Sequence, residues 1–213
     1  MSLFVSFEGP EGSGKSSQTV MLGDYLSSKG YKVHVTHEPG GTIIGDQIRD
    51  TLLSKKNTAM VTRAEILLFQ ASRAQLVEEV IRPKLAEGYI VLCDRYADST
   101  IAYQGYGYQQ KIDEVRTLVR YATGGLVPDM TLLLDVDVEV GLKRKTKNEA
   151  EWNRLDAYDL EFHQRVRAGY LEMAKQESGR WVVVDAGQEW EEVQESLRKC
   201  IHKKFRDEHY ECN

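Results

Sequence analysis

The 213-residue sequence has only three cysteines and four prolines. Cys93, Cys200 and Cys212 are odd in number and lie at no metal-ligand spacing, so they support neither a disulfide framework nor a zinc site. A reducing compartment suits them best. No apolar run approaches the ~18 residues of a membrane span, and the N-terminus enters a strand-like run with neither a basic region nor a cleavage site. The cytoplasm is the expected location. An excess of positive charge is lacking as well: a formal net charge of -5 gives no general basic surface for nucleic acid, so any anion-binding site must be local. What remains is 41% hydrophobic and 29% charged, a globular composition at a length that suits one α/β domain spanning residues 1–213.

Five short apolar runs, at 3–7, 32–36, 89–93, 130–134 and 181–184, read as buried strands. Helical patterns lie between them. Residues 15–29 put Met21, Leu22, Tyr25 and Leu26 on one face and stop at Gly30; residues 62–87 stop at Gly88. Further helical segments are expected at 156–177 and 188–204. Strand alternating with helix predicts a doubly wound, five-stranded parallel sheet of the P-loop NTPase type, with helices on both faces. Ligands of such sheets collect at the carboxyl ends of the strands, which here means residues 8–16, 37–42, 94–96 and 135–137.

The first of those ends carries Gly9-Pro10-Glu11-Gly12-Ser13-Gly14-Lys15-Ser16, the G-x-x-x-x-G-K-[ST] pattern in its proper setting between a strand and a helix. Its backbone N–H groups and the positive end of the helix can cradle phosphates. Lys15 would reach the outer phosphates and the Ser16 hydroxyl would hold a magnesium ion. Such a loop serves switches, motors, transporters and kinases alike. The Asn-Lys-x-Asp run by which GTP-binding switches read guanine is missing, which weakens that class.

Other strand ends suit a second, smaller anionic substrate. In "VLCDRY", Asp94 can orient the magnesium shell while Arg95 bridges donor and acceptor phosphates in the transition state. "HEPGGT" adds Glu38 and a tight glycine turn. In "LLFQASRAQ", Phe69 and Arg73 are four apart, so ring and guanidinium share a helix face and suit a flat base. "DSTIAYQGYGYQ" contributes Tyr103 and Gln104 in a glycine-bearing segment able to cover a ligand.

The ordered series FEGPEGSGKSSQ, EPGGT, LLFQASRAQ, CDRYADSTIAYQG, PDMTLLLDVD and GLKRK…NRLD closely resembles bacterial thymidylate kinase, over residues 3 to about 187. The resemblance implies phosphorylation of dTMP to dTDP with ATP and magnesium, on the route to dTTP, by a homodimer. It also implies residue roles. Gly9 to Ser16 and Arg144 would bind ATP, and Glu8, Ser16 and Asp94 would lie at the metal. Phe69 would stack on thymine, with Arg73 and Gln104 reading its edge and Leu53 beneath it. Tyr103 would close on the deoxyribose, Ser99 would touch the same ligand, Arg49 would hold the monophosphate, and Glu38 would help close the pocket.

The match loosens in the lid, about residues 143–154. Members whose P-loop lacks an arginine usually place a catalytic arginine in the lid; here positions 10–13 hold none, and 149–152 read Glu-Ala-Glu-Trp. The segment offers Arg144, Lys145, Lys147 and Arg154, of which Lys147 or Arg154 is expected to supply the cation. His37, where relatives commonly carry arginine, is read as packed or solvent-facing. Rival readings are a kinase for another nucleotide or nucleoside, and a non-catalytic nucleotide-binding switch.

Overall fold

The computed structural model describes residues 2–146 and 158–210. Five strands, β1 (Leu3–Glu8), β2 (Val33–His37), β3 (Ile90–Asp94), β4 (Met130–Asp135) and β5 (Trp181–Asp185), form an all-parallel sheet in the order β2-β3-β1-β4-β5. The expected doubly wound fold is present. The three central strands are buried almost throughout, as a sheet covered on both faces requires, whereas the edge strands expose Val35 and Val183. Each strand ends on a polar residue beyond its apolar run. The register sets Phe7 and His37 on either side of Asp94, gathering these ends at one edge.

α1 (Lys15–Ser28) and α9 (Trp190–Tyr210) cover one face, where Leu22, Leu26, Leu197 and Ile201 cluster with Val5, Leu92 and Leu132. The opposite face carries α3 (Thr62–Leu76), α5 (Ala97–Thr100), α6 (Ile112–Thr123) and α8 (Leu160–Gln176), whose Leu76, Ala97, Val119 and Val166 cluster with Phe4, Val91 and Leu133. α2 (Ile43–Leu53) and α7 (Val138–Thr146) follow β2 and β4. Together with α5 and α6 they are additional to the helices expected from the pattern.

Two expected helices are modified. The run 62–87 becomes α3, a π-helical stretch Val77–Ile81 and α4 (Arg82–Ala86). Pro83 has no N–H for the α-ladder and its ring crowds the preceding turn, so the ladder widens just before it. The helix expected from 156 starts at Leu160, because the Asp159 side chain accepts from Phe162 N at 2.7 Å and caps it there. A second π-helical stretch, Ile101–Gly107, continues α5 and carries Tyr103 and Gln104.

An ion pair with a buried carboxylate and a half-buried guanidinium ties α5 to the sheet. Arg180, just before β5, donates to Asp98 Oδ2 at 2.7 Å, to Asp98 Oδ1 at 3.2 Å and to Thr131 Oγ1 at 2.6 Å. Removing one partner of such a pair strands the other charge in a low-dielectric interior. Arg180→Ala is expected to cost about 3–5 kcal/mol in urea unfolding, with Asp98→Asn in the same chain recovering part of the loss. A cost within about 0.5 kcal/mol would contradict the pair's structural role.

Candidate active site

The P-loop leaves β1 at Glu8 and enters α1 at Lys15 through Gly14, whose left-handed backbone (φ 85°) occupies the N-cap without a side-chain cap. The first N–H groups of α1 therefore face the loop's own concavity. Lys15 Nζ donates to the carbonyls of Gly9 (3.0 Å) and Pro10 (2.8 Å) and to Ser13 Oγ (3.2 Å). Burial, with Arg95 beside it, lowers the Lys15 ammonium to about 7. The Ser16 hydroxyl donates to Asp94 Oδ2, while Asp94 Oδ1 is buried with no hydrogen-bond partner.

A cavity of about 1030 Å³ opens over this loop at the carboxyl edge of the sheet. Its P-loop side is formed by Glu11, Gly12, Gly14, Lys15 and Ser16, with Arg144 and Lys145 from α7. Across it lie Arg49 and Leu53 from α2, Phe69 and Arg73 from α3, and Tyr103 and Gln104 from the second π-helical stretch. The "HEPGGT" turn braces this half: Arg49 Nη1 donates to Pro39 O at 2.7 Å, Gly40 N to Ser72 Oγ at 3.0 Å, and Thr42 caps α2 through Gly45 N. His37 also lines the cavity, with burial and then Arg49 lowering its imidazole.

Between the halves sits Arg95. Its backbone is left-handed (φ 67°), a conformation costly for a residue with a side chain. It is pinned by Arg95 N donating to Phe7 O at 2.9 Å and by Cys93 Sγ donating to Arg95 O at 3.0 Å. The guanidinium reaches Glu11 Oε1 at 2.6 Å, Tyr103 OH at 3.0 Å, and Gly9 O, Ser99 Oγ and Tyr170 OH each at 3.2 Å. Glu11 also accepts from Tyr103 OH at 2.8 Å and from Lys145 Nζ at 2.8 Å. Burial opposes its charge, yet Arg95, Lys145 and Lys15 hold the Glu11 carboxyl well below the usual range.

Other expected site residues are already engaged within the protein. Glu8 is fully buried beneath the cavity and does not line it, accepting from Tyr96 N (2.9 Å), Ser99 Oγ (2.6 Å) and Tyr170 OH (3.0 Å). Arg73 lines the cavity, but its N–H groups already serve Glu38 Oε2 (2.8 and 2.6 Å), Gln70 Oε1 (2.9 Å), Thr100 Oγ1 (3.0 Å) and Tyr96 O (3.0 Å). Reading a base edge would require it to share one of them. Asp135 is held bidentately by Arg167 and is not part of the wall. Lys147 and Arg154 lie outside the described residues.

Two contributors escape a reading of the sequence: Glu65 fixes Gln104 by accepting from its Nε2 at 2.9 Å, and Tyr170 supports Arg95. Of the basic residues expected in the lid, Lys145 meets the P-loop through Glu11.

Phosphate-holding groups thus stand on both sides of one arginine, the layout of a P-loop phosphotransferase that moves a phosphoryl group onto a small acceptor. Residues 7–197 match a family model described as thymidylate kinase. The chain is 53% identical to the thymidylate kinase of Roseiflexus castenholzii, over 94% of this chain and 93% of that protein. It is 51% identical to that of Herpetosiphon aurantiacus, over 92% and 94%. The crystal structure of thymidylate kinase from Ehrlichia chaffeensis superposes with a TM-score of 0.77 at 33% identity, covering 94% of this chain and 98% of that one. The chain belongs to the thymidylate kinase family.

The Glu8 environment yields a prediction. Burial, with Asp98 nearby, raises its carboxyl from 4.5 to about 7. A raised folded-state value means that the stability it contributes is complete below the unfolded value and is lost as pH rises through 7. Glu8→Gln stays neutral throughout. The parent's stability relative to this variant should fall by about 2–3 kcal/mol between about pH 5 and about pH 8 in urea unfolding. A difference independent of pH would contradict the raised value.

Proposed function

We propose that the two halves of the cavity hold ATP and dTMP end to end, with Arg95 between the transferring groups. The enzyme is a dTMP kinase that makes dTDP with ATP as phosphoryl donor. The observation that carries this reading is Arg95 itself, held within reach of both the P-loop and the pocket that contains Phe69, Arg73 and Gln104. On the donor side, Gly9 to Ser16 would cradle the phosphates. Their negative charge would restore the charge on Lys15 that burial and Arg95 oppose. Arg144, whose Nη1 donates to Ala186 O at 2.8 Å, would border the rest of ATP. On the acceptor side, Phe69 and Leu53 would hold thymine, Gln104 and a shared N–H of Arg73 would read it, and Tyr103 and Ser99 would pack against the sugar and phosphate. Arg49 and the Glu38 turn would hold the far end.

Magnesium fits what is present. Ser16 Oγ and Asp94 share a hydrogen bond, and Asp94 Oδ1 is an orphaned acceptor beside the loop. Among the described residues no group of three or more His, Cys, Asp or Glu could hold a metal ion, so the ion's other ligands would be water and phosphate oxygens, as Mg²⁺ prefers. Bound there, it would neutralise charge on the transferred group. The acceptor phosphate is already ionised at neutral pH, so no strong general base is needed; positioning and charge neutralisation carry the rate. A lid at about 143–154 would exclude water and so suppress hydrolysis of ATP.

We read the chain as one kinase domain acting in the cytoplasm. No helix among the described residues is long and apolar enough to cross a membrane. A homodimer is supported by exposed Val61 and Leu67 beside a groove between α3 and α6 lined by Ile66, Val115 and Leu118. ADP release with dTMP, UMP, CMP, AMP and GMP at equal concentration tests the function. It should be at least about tenfold faster with dTMP, should stop on chelation of magnesium, and in Asp94→Asn should need more magnesium. Equal rates with all five acceptors would refute the assignment.

A further inference from the structure

Glu65, Phe69 and Arg73 recur every four residues along α3 and so share one face of it. Phe69 and Arg73 line the cavity; Glu65 stands behind its wall and is 1% exposed. Its Oε1 accepts from Gln104 Nε2 at 2.9 Å, and its Oε2 accepts from Tyr108 OH at 3.2 Å. Burial, and then the Glu65 charge, raises the Tyr108 hydroxyl, which therefore keeps the proton it donates. A carboxylate with both oxygens accepting has no hydrogen to offer Gln104, so only the NH2 end of that amide can face it. The other end is left to the cavity that Gln104 lines: among the described residues no donor reaches Gln104 Oε1, and protein does not close that oxygen off.

Arg73 beside it has donors only, and Glu38, Gln70, Thr100 and Tyr96 hold its plane. The wall thus offers a flat base one kind of group at Arg73 and the opposite kind at Gln104. A thymine or uracil edge brings the complementary pair, a carbonyl oxygen and an N3–H. A cytosine edge brings an amino group in place of the carbonyl and a bare nitrogen at N3, so donor faces donor and acceptor faces acceptor. We propose that Glu65 is a positioning residue for base selection: it holds the Gln104 amide with Oε1 toward the base, which admits a pyrimidine whose N3 carries hydrogen and opposes one whose N3 is a bare acceptor. The inference deepens the dTMP kinase reading and rests on it. Glu65 acts only through Gln104. An unheld amide would discriminate poorly, because half a turn about its last bond presents NH2 where the oxygen stood.

The test is competition against dTMP turnover by dUMP and dCMP, which share sugar, phosphate and an unmethylated ring and differ only along the edge at N3 and C4. Ki values are measured for the parent, Glu65→Gln and Tyr108→Phe, with melting temperatures alongside. The ratio of Ki for dCMP to Ki for dUMP should be at least about 10² in the parent and should fall by about tenfold or more in Glu65→Gln, whose amide can meet Gln104 with either end. Ki for dUMP relative to KM for dTMP, which reads the methyl group alone, should stay within about twofold. Tyr108→Phe keeps the carboxylate and should hold the dCMP-to-dUMP ratio within about threefold of the parent's. A parent ratio near one, or a Glu65→Gln ratio within about twofold of the parent's, overturns the proposal. So do equal falls in both variants, or a Glu65→Gln chain that does not fold, because Glu65 would then serve packing and not the polarity of the amide. A parent that transfers no phosphate to dTMP refutes the kinase reading itself, whereas an active parent with an unmoved ratio in Glu65→Gln sinks only this inference.

Discussion

The site depends on how Arg95 is held. Its left-handed backbone costs on the order of 1–2 kcal/mol, which the bonds on either side of it offset. That backbone lifts the guanidinium off the end of β3 and into the space between the P-loop and the half of the cavity lined by Phe69 and Gln104. There, five neighbours fix its plane, drawn from the P-loop, α5 and its π-helical extension, and α8. A flat, five-donor group can satisfy so many partners and still present charge to phosphates; an ammonium cannot.

Two carboxylates make this arrangement possible, in opposite ways. Glu11 is surrounded by cations and stays ionised, linking Arg95 to α7 through Lys145. Glu8 sits below in a nearly dry environment that raises its carboxyl, and it fixes Ser99 and Tyr170, which in turn touch the guanidinium. A charged layer lining the cavity therefore rests on a buried hydrogen-bonded layer. The buried layer reaches the sheet through Tyr96 N and is braced at Asp98 by Arg180. Stability and chemistry meet at α5, which belongs to both.

Much of this was legible from the sequence because it is local. The P-loop, the strand ends at Asp94 and Arg95, and the four-residue spacing of Phe69 and Arg73 are short patterns whose geometry follows from strand and helix periods. What escaped is non-local. Glu11 meets Lys145 across 134 positions, Tyr170 meets Glu8 across 162, and Glu65 meets Gln104 across 39. Tyr170 looks like one more apolar residue on the core face of α8 until its hydroxyl is placed. Nor does the sequence reveal that Glu8 ends its strand turned into the interior, where Ser99 and Tyr170 donate to it. Arg73 was found by its spacing, yet the same spacing could not reveal that Glu38, Gln70 and Thr100 would occupy it.

Transfer depends on the shape of the Arg95 guanidinium and not on its charge alone. Turnover of Arg95→Lys at saturating ATP and dTMP is the most direct measurement of that claim. A lysine keeps the charge but cannot hold Glu11, Tyr103 and Ser99 while facing the phosphates. The kcat should be lower by about 10²–10³ with the melting temperature within a few degrees of the parent's. A kcat within about threefold of the parent would contradict it.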